Sequence, residues 1–378
     1  MKIKINRKNL ITTAVLTLLC IILAVLPGFD AGRFSPAGSV KAEVISADNS
    51  AVYQTGIILQ GDQYCELRIT QGERRGETVR GVNKLIGKLE MDKIFSAGDF
   101  ALIALDFNAD GEIIQPVTIV DHYRLGAETW LFGGFVFLLV VFAGLTGFNA
   151  LLSFVVTVLA VWKVLVPALL RGIDPAGVSF AITIGLTLII IYAVGGFTRK
   201  ATAAALGSLL GTALTAVLAL CGGSAFKIHG AVMPFAENLL YSGYAHLDLT
   251  QIFLSCVFIA SSGALMDLGM DIASAVEEVA VKNPNLTRGE LVRSGLSVGR
   301  SVIGTMTTTL LLAYSGGYLS LLMLFMAQGT PIVNILNLKY VAAEIMHTLI
   351  GSIGLVTVAP FTAFVAGTLI GKAKKSEA

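Results

Sequence analysis

The chain has 378 residues, of which 55% are hydrophobic and only 14% are charged, and its mean hydropathy is +0.78. Because soluble domains carry about 25% charged residues, this composition excludes an ordinary soluble globular protein and predicts several membrane-spanning helices. The net charge of +2 gives no indication of a nucleic-acid partner, so the lipid bilayer is the partner that the composition predicts.

Residues 1–27 combine a basic start with an apolar run over residues 10–27. The basic residues are Lys2, Lys4, Arg7 and Lys8. A run of this length just spans the hydrocarbon core of about 30 Å, and a cleaved signal peptide has the same pattern. We predict a retained transmembrane anchor because the small-x-small site expected after the run is poor, although Ala31-Gly32 leaves cleavage open.

Residues 28–125 are the long polar section of the chain. Short alternating or β-branched runs are separated there by Gly-Asp, Gln-Gly and Asp-Gly turns, a pattern typical of strands. We predict a small all-β domain of about five or six strands, either a barrel of the OB or SH3 kind or a sandwich. Cys65 lies outside the apolar runs and is expected to be exposed, and the dispersed cysteines predict neither a disulfide framework nor a zinc site.

Residues 126–371 are again apolar and predict a bundle of seven transmembrane helices. The predicted spans are residues 130–148, 151–170, 178–196, 201–221, 249–268, 302–326 and 345–370. Each is near the length that a helix needs to cross the bilayer. With the anchor they make about eight spans, so both termini lie on one side, and residues 372–378 form a basic tail there.

The distribution of positive charge predicts which side that is. The Lys and Arg residues of the predicted inner segments are Lys2, Lys4, Arg7, Lys8, Arg199, Lys200, Lys282, Arg288, Arg293, Arg300, Lys372, Lys374 and Lys375. The short outer loops hold only Arg171, Lys227 and Lys339. Since basic residues concentrate in cytoplasmic loops, we predict an N-in/C-in protein with the β domain outside the cytoplasm.

Acidic residues at the end of the span 249–268 are the first candidate site. Asp267, Asp271, Ser274 and Glu278 recur at i, i+4, i+7 and i+11, so they share one helix face. Because charged groups are costly in lipid, Asp267 and Asp271 are candidates for ion binding or coupling, and the alternative is a wet position at the inner end of the helix. Arg300 is either their ion-pair partner or a positive-inside anchor.

The span 302–326 supplies a second set of candidates. Small and hydroxyl residues recur there at i+4 spacing, namely Ser301, Thr305, Thr309, Ala313 and Gly317. Such a stripe favours close helix packing in lipid, and the alternative is that Thr305 and Thr309 line a substrate path. A helix break at Gly316 and Gly317, just after Tyr314, would free backbone carbonyls that could bind an ion.

Glu344 and His347 form a Glu-x-x-His motif, whose spacing occurs at metal sites in helix bundles. A helix over residues 344–370 would measure about 40 Å, so this pair is expected at the outer mouth of the last span. We predict a gate there and no metal centre. The same lengths separate this pair from Asp267 by about a membrane thickness, so the two groups are not expected to share a site.

A set of short motifs between residue 130 and the end of the chain carries a family resemblance. They are Gly195-Gly196 with Arg199-Lys200, Gly263-Ala264-Leu265-Met266-Asp267, Asp271-Ile272-Ala273-Ser274-Ala275, Asn283-Pro284-Asn285-Leu286, Ser294-Gly295, Gly299-Arg300, Gly304-Thr305-Met306, Leu312-Ala313-Tyr314-Ser315-Gly316-Gly317, Glu344, Gly351-Ser352-Ile353-Gly354-Leu355-Val356 and Pro360. The chain thereby resembles the YibE/F family of bacterial membrane proteins. The resemblance implies a multi-spanning plasma-membrane protein whose biochemical activity is not established.

Enzyme signatures are absent, since the chain contains no G-x-x-x-x-G-K-[ST], H-E-x-x-H or G-x-S-x-G motif. We therefore predict a protein that is not an enzyme and needs no cofactor. Intramembrane acids and Gly-broken helices favour a secondary transporter or permease for an unidentified solute or ion. The alternative is a non-transporting scaffold whose β domain binds a partner or envelope component, and a homo-oligomer is compatible with both.

Overall fold

The computed structural model describes residues 7–29 and 38–371. The chain divides into two compact units, one of residues 30–138 and one of residues 1–29 with 139–378. Lys2, Lys4, the possible cleavage site at Ala31-Gly32 and the basic tail 372–378 lie outside the described residues. The two units are described separately below.

The first unit is a small β-barrel. Its strands are β1 Gly38–Asp48, β2 Val52–Thr55, β3 Ile58–Ile69, β4 Thr78–Ile86, β5 Phe100–Leu105 and β6 Val117–His122. The strand order is β1-β5-β6-β4-β3-β2, and β1 also pairs with β3, so five strands close on themselves. β4 and β6 run parallel, and the other pairs are antiparallel. The barrel prediction is confirmed, and the sandwich alternative is wrong.

Alternation along β3 builds the barrel core. Cys65, Leu67 and Ile69 are buried, whereas Glu66 and Arg68 between them are exposed, because successive side chains of a strand point to opposite faces. The expectation of an exposed Cys65 is therefore wrong. Cys65 is 3% exposed, and its burial raises the pKa of the thiol to about 11, so this cysteine is unreactive at neutral pH.

Two amide side chains inside the barrel hold the segment between β4 and β5. Gln63 Nε2 donates to the carbonyl oxygen of Phe95 at 2.9 Å and to Asn49 Oδ1 at 2.8 Å, and Gln63 Oε1 accepts from Phe95 N at 3.1 Å. Asn83 Nδ2 donates to Gln63 Oε1 at 3.1 Å and to Lys93 O at 2.6 Å. Both amides are fully buried, so hydrogen bonds offset the loss of their hydration.

The second unit is a helical bundle, into which the chain passes along α2. The helices of the chain are α1 Arg7–Val25, α2 Leu125–Ala160, α3 Val166–Leu170, α4 Pro175–Gly195, α5 Arg199–Ala225, α6 Ala236–Leu239, α7 Leu249–Lys282, α8 Arg288–Ser315, α9 Leu319–Ala327, α10 Ile332–Asn337 and α11 Lys339–Ile370. Among the described residues, 6 helical segments are long and apolar enough to cross a membrane. They are Leu125–Leu170, Pro175–Gly195, Arg199–Ala225, Leu249–Lys282, Arg288–Ala327 and Lys339–Ile370.

This number is smaller than the predicted eight for two reasons. The apolar part of α1, Ile11–Val25, is shorter than a full span. The predicted spans 130–148 and 151–170 lie within the single segment Leu125–Leu170 of 46 residues. That segment is not straight. Gly144 has the non-helical dihedral angles φ 57° and ψ −132°. A Cβ on Gly147 would collide with the carbonyl oxygen of Leu139. Residues 139 and 147 would be about 12 Å apart in a straight helix, so the chain bends sharply at Gly144.

The centre of the bundle combines large aliphatic side chains with many small residues on α5, α7, α8 and α11. Its buried alanines are Ala201, Ala203, Ala204, Ala205, Ala273, Ala359, Ala363 and Ala366. Glycines allow further approach, since a Cβ on Gly207 would collide with Thr362, and one on Gly295 would lie 2.9 Å from Ala363. Small residues bring helix backbones into van der Waals contact, which stabilises helix association in lipid.

The connection from α7 to α8 follows its local sequence. α7 ends at Lys282, and Asn283 caps it before Pro284. Thr287 then forms a capping box with Glu290 at the start of α8. The break and restart follow from these residues, because Pro cannot continue a helix and the Thr-x-x-Glu pattern satisfies free N–H groups at a helix start.

Candidate functional site

The structure brings three of the predicted site residues together inside the bundle. Tyr314 lies in the last turn of α8, and Glu344 and His347 lie near the beginning of α11. The rings of Tyr314 and His347 stack, with centroids 4.1 Å apart and planes inclined by 25°. We call Tyr314, Glu344 and His347 the acid–imidazole–phenol cluster.

Glu344 and His347 face each other because residues three apart share a helix face. His347 Nδ1 is 3.9 Å from Glu344 Oε2, and the two side chains are 16% and 15% exposed. This distance is within ion-pair range but too long for a hydrogen bond. The carboxyl and the imidazole therefore interact without being locked to each other.

Each member of the cluster has a buried polar atom without a hydrogen-bond partner among the described residues. These atoms are Tyr314 Oη, Glu344 Oε1 and His347 Nε2. The hydroxyl of Ser261 on α7 lies near that of Tyr314, and its own proton is donated to the carbonyl oxygen of Val257 at 2.7 Å. A buried polar atom without a partner costs about 1–3 kcal/mol, so the cluster is not explained as a stabilising network.

A groove borders the cluster at Glu344, and a second cavity shares Tyr318 with that groove. The groove of about 250 Å³ is lined mainly by apolar side chains and also by Ser315, Tyr318, Glu344 and Thr348. The second cavity of about 590 Å³ lies between the segment 231–238 and the turn after α8. Tyr318 lines both cavities, so its side chain stands between the larger cavity and the groove beside Glu344.

The segment that covers the larger cavity is fixed at one end and strained near the other. Ile228 and Val232 are buried with Met346 of α11 in one apolar cluster. Phe235 adopts a left-handed backbone conformation with φ 59°, which is unusual for a residue with a Cβ and is found at functional segments. Glu237 follows at the wall of the cavity.

The predicted break in the span 302–326 is present as a single 3₁₀ turn, Gly316–Tyr318, between α8 and α9. Gly316 and Gly317 have open space where a side chain would be. The turn places Tyr318 between the cavities. Ion binding by carbonyl groups at Gly316 and Gly317 stays a prediction.

The stripe of small residues on α8 does not form a packed seam within the described chain. All its members are exposed, namely Ser301, Thr305, Thr309, Ala313 and Gly317. Thr305 and Thr309 donate to carbonyl oxygens of their own helix, at 2.9 and 3.0 Å. Within the described chain, the predicted packing of another helix against this stripe is therefore wrong. The helix α8 is buried through a different face, which contains Gly295 and Gly299.

Asp267 and Asp271 lie on the outward face of α7, and both are exposed. Among the described residues no ion pair joins them to Arg300, so the predicted pair is not formed. Gly299 contacts Ile272 and Ala359, and the next residue, Arg300, turns away by about 100° and is exposed. Ion binding or coupling at Asp267 and Asp271 stays a prediction.

An ion pair that the sequence analysis missed lies near the same end of α7. Lys200 Nζ of α5 is 3.0 Å from Glu277 Oε2. Glu278, the last member of the predicted acidic stripe, pairs instead with Lys282 at 2.6 Å. The Lys200–Glu277 pair joins two helices distant in sequence, so only a three-dimensional arrangement could reveal it.

Among the described residues no group of three or more His, Cys, Asp or Glu side chains is placed to hold a metal ion. Glu344 and His347 supply only two such ligands. A structural metal site takes about four protein ligands, more than this pair supplies.

Long apolar helices, a core of small residues and a buried ionisable cluster define a multi-pass membrane protein that carries a separate β-barrel unit. The chain belongs to the family described as YibE/F-like protein, whose family model matches residues 131–372. No curated protein and no solved structure matches the chain. The matched region contains every predicted site residue and excludes the barrel.

Proposed function

We propose that this protein is a secondary transporter or permease for a small solute or ion, with the acid–imidazole–phenol cluster as its coupling site. One observation carries the proposal: Tyr314 Oη, Glu344 Oε1 and His347 Nε2 are buried together without partners. Ionisable groups inside membrane helices are costly and typically mark ion or proton pathways.

We further infer eight spans with both termini in the cytoplasm, in the plasma membrane, and an extracytoplasmic barrel. The sharp bend at Gly144 supports two spans within Leu125–Leu170. Contacts of α1 support a retained first span: Thr13 Oγ1 donates to Asn149 Oδ1 at 2.6 Å, and Leu16 is buried with Val156. Positive charge on the predicted inner segments supports the orientation.

Cysteine labelling tests whether water reaches the cluster, as transport requires. Cys20, Cys65, Cys221 and Cys256 are first replaced by Ala or Ser. Thr348→Cys and Ser315→Cys, both at the groove, are then treated in membranes with a charged, membrane-impermeant thiol reagent. We expect both to be modified, because alternating access opens the site to water during the transport cycle.

Thr212→Cys is the matched control, since Thr212 is 1% exposed in the core of α5 and should stay unmodified. A screen for raised melting temperature with single amino acids, organic acids, sugars and chloride salts then identifies the solute, because ligands of the folded form stabilise it. If Thr348→Cys and Ser315→Cys are as unreactive as Thr212→Cys, the transporter proposal is wrong.

The second candidate function is a membrane scaffold whose barrel binds a partner. Five strands with one parallel pair favour the OB alternative over the SH3 alternative, and OB barrels are frequent binding modules. The β2–β3 hairpin also exposes Tyr53 and Ile57, at 61% and 75%. This candidate predicts no labelling at Thr348→Cys, so the same experiment separates the two.

A further inference from the structure

We propose that the ion taken by the acid–imidazole–phenol cluster is a proton, held on the Glu344–His347 pair. This inference rests on the proposed function, because it names the ion of the same site. It follows from the donor atoms of the cluster, from the geometry of the pair and from the apolar surroundings.

The donor atoms fit a proton better than a metal cation. Hard cations such as Na⁺, K⁺ and Mg²⁺ prefer shells of about six oxygen ligands, and imidazole nitrogen suits transition metals instead. The cluster offers one carboxyl, one phenol and one imidazole, and a transition metal would lack a third strong ligand among the described residues. A proton needs only one lone pair, which both Glu344 and His347 provide.

The geometry of the pair allows a proton to be shared. Glu344 Oε2 and His347 Nδ1 are 3.9 Å apart, so a small side-chain rotation brings them within hydrogen-bond distance. One proton from water forms an O–H bond on Glu344 or an N–H bond on His347, and that bond breaks when the proton returns to water on the other side.

In these surroundings, the negative charge of Glu344 is neutralised by taking up a proton. Tyr314 and Tyr318 are the titratable side chains that face Glu344 from α8 and the following turn. Among the described residues no Lys or Arg forms an ion pair with Glu344, and the basic side chain within 4.0 Å of it is that of His347. The groove beside Glu344 is lined mainly by apolar side chains such as Leu311. An unpaired charge is costly in such surroundings.

The ring of Tyr314 stacks on the imidazole of His347. Its centroid is 4.1 Å from that of the imidazole, and the face of a phenol attracts a cation. Tyr314 is thus a positioning residue, which orients the imidazole towards Glu344. Tyr318 separates the cluster from the larger cavity, through which water can deliver the proton.

Chemical modification of the full-length protein in detergent tests the proposal. Dicyclohexylcarbodiimide is apolar and adds to protonated carboxyl groups, and mass spectrometry of peptides locates the adduct. We expect modification of Glu344 that decreases about tenfold per pH unit above a midpoint, as for a single proton. His347→Gln should change that dependence, because the side chain that shares the proton with Glu344 is gone. Glu237, at the wall of the larger cavity, is the comparison carboxyl and should not show this dependence on His347.

The same reaction is repeated with NaCl, KCl, MgCl₂ or ZnCl₂ in place of choline chloride. Unchanged modification of Glu344 in all these salts supports the proton. If one salt protects Glu344, a metal cation occupies the site, which overturns this inference and leaves the proposed function standing. If Glu344 is unmodified at every pH, the proton is excluded, and labelling at Thr348→Cys decides separately whether the transporter proposal survives.

Discussion

The barrel and the bundle each bury a cluster of polar side chains, and the two clusters differ in how their atoms are satisfied. In the barrel, Gln63 and Asn83 make hydrogen bonds of 2.6–3.1 Å with each other and with the chain around them, and Asn83 Oδ1 alone lacks a partner. In the bundle, Tyr314, Glu344 and His347 each leave an atom unpartnered. The comparison separates a cluster that stabilises its unit from one whose polar atoms are available to a ligand.

Gln63→Ala should have the largest effect on stability. The substitution leaves the buried N–H and C=O groups of Phe95 without partners, and we expect the barrel to lose about 3 kcal/mol of unfolding free energy. Hydrogen exchange of peptides from β3 and β4 measures this loss. The control is Gln60→Ala, at an exposed site on the same strand, which should change the unfolding free energy of the barrel by less than about 0.5 kcal/mol. Equal effects of the two would contradict a stabilising role for the buried cluster.

Gly351→Val should reduce the stability of the bundle by about 1–3 kcal/mol through overpacking. A Cβ at Gly351 would lie 2.7 Å from Ser261 Oγ and 3.7 Å from the Tyr314 ring. A valine side chain at this position would therefore be too close to Ser261 and would contact Tyr314. Thermal unfolding in detergent measures the effect. Gly263→Val is the matched control because Gly263 has no atom within 4 Å of such a Cβ. A fully stable Gly351→Val protein would show that this region is not closely packed.

Tyr314→Phe should leave the stability of the bundle unchanged or raise it by up to about 1 kcal/mol. The substitution removes a buried hydroxyl without a partner, and the cost of leaving that group unsatisfied disappears. Ser208→Ala should instead lose about 1 kcal/mol, because Ser208 Oγ donates to Leu265 O at 3.1 Å. If both variants lose equal stability in thermal unfolding, the phenol is structural and the contrast between the clusters fails.

Asp267→Asn combined with Asp271→Asn should have the smallest effect. Both carboxylates are exposed on α7, so we expect the unfolding free energy to change by less than about 0.5 kcal/mol. Carbodiimide modification of Glu344 should be unchanged at every pH. A shifted pH dependence in this variant would show that Asp267 or Asp271 acts together with the cluster, and would support the coupling role predicted from the sequence.

Local sequence signals predicted much of the fold. Alternation placed the barrel strands, Thr287 with Glu290 marked the start of α8, and Gly316-Gly317 marked the turn before α9. Each of these signals acts within a few residues, through turn chemistry or capping. The exposure of Cys65 was mispredicted because its polar neighbours suggested a surface, whereas the alternation along β3 decides which side chains point inward.

The sequence by itself determined that this is a multi-pass membrane protein of the YibE/F-like family, with a β unit and a small number of intramembrane polar residues. The tertiary structure decided which of those residues meet. Asp267 and Glu344 are equally unusual in an apolar helix, yet one is exposed and the other lies against His347 and near Tyr314. The reason is that successive helix residues are rotated by about 100°, so burial depends on the rotation of each helix against neighbours that are distant in sequence.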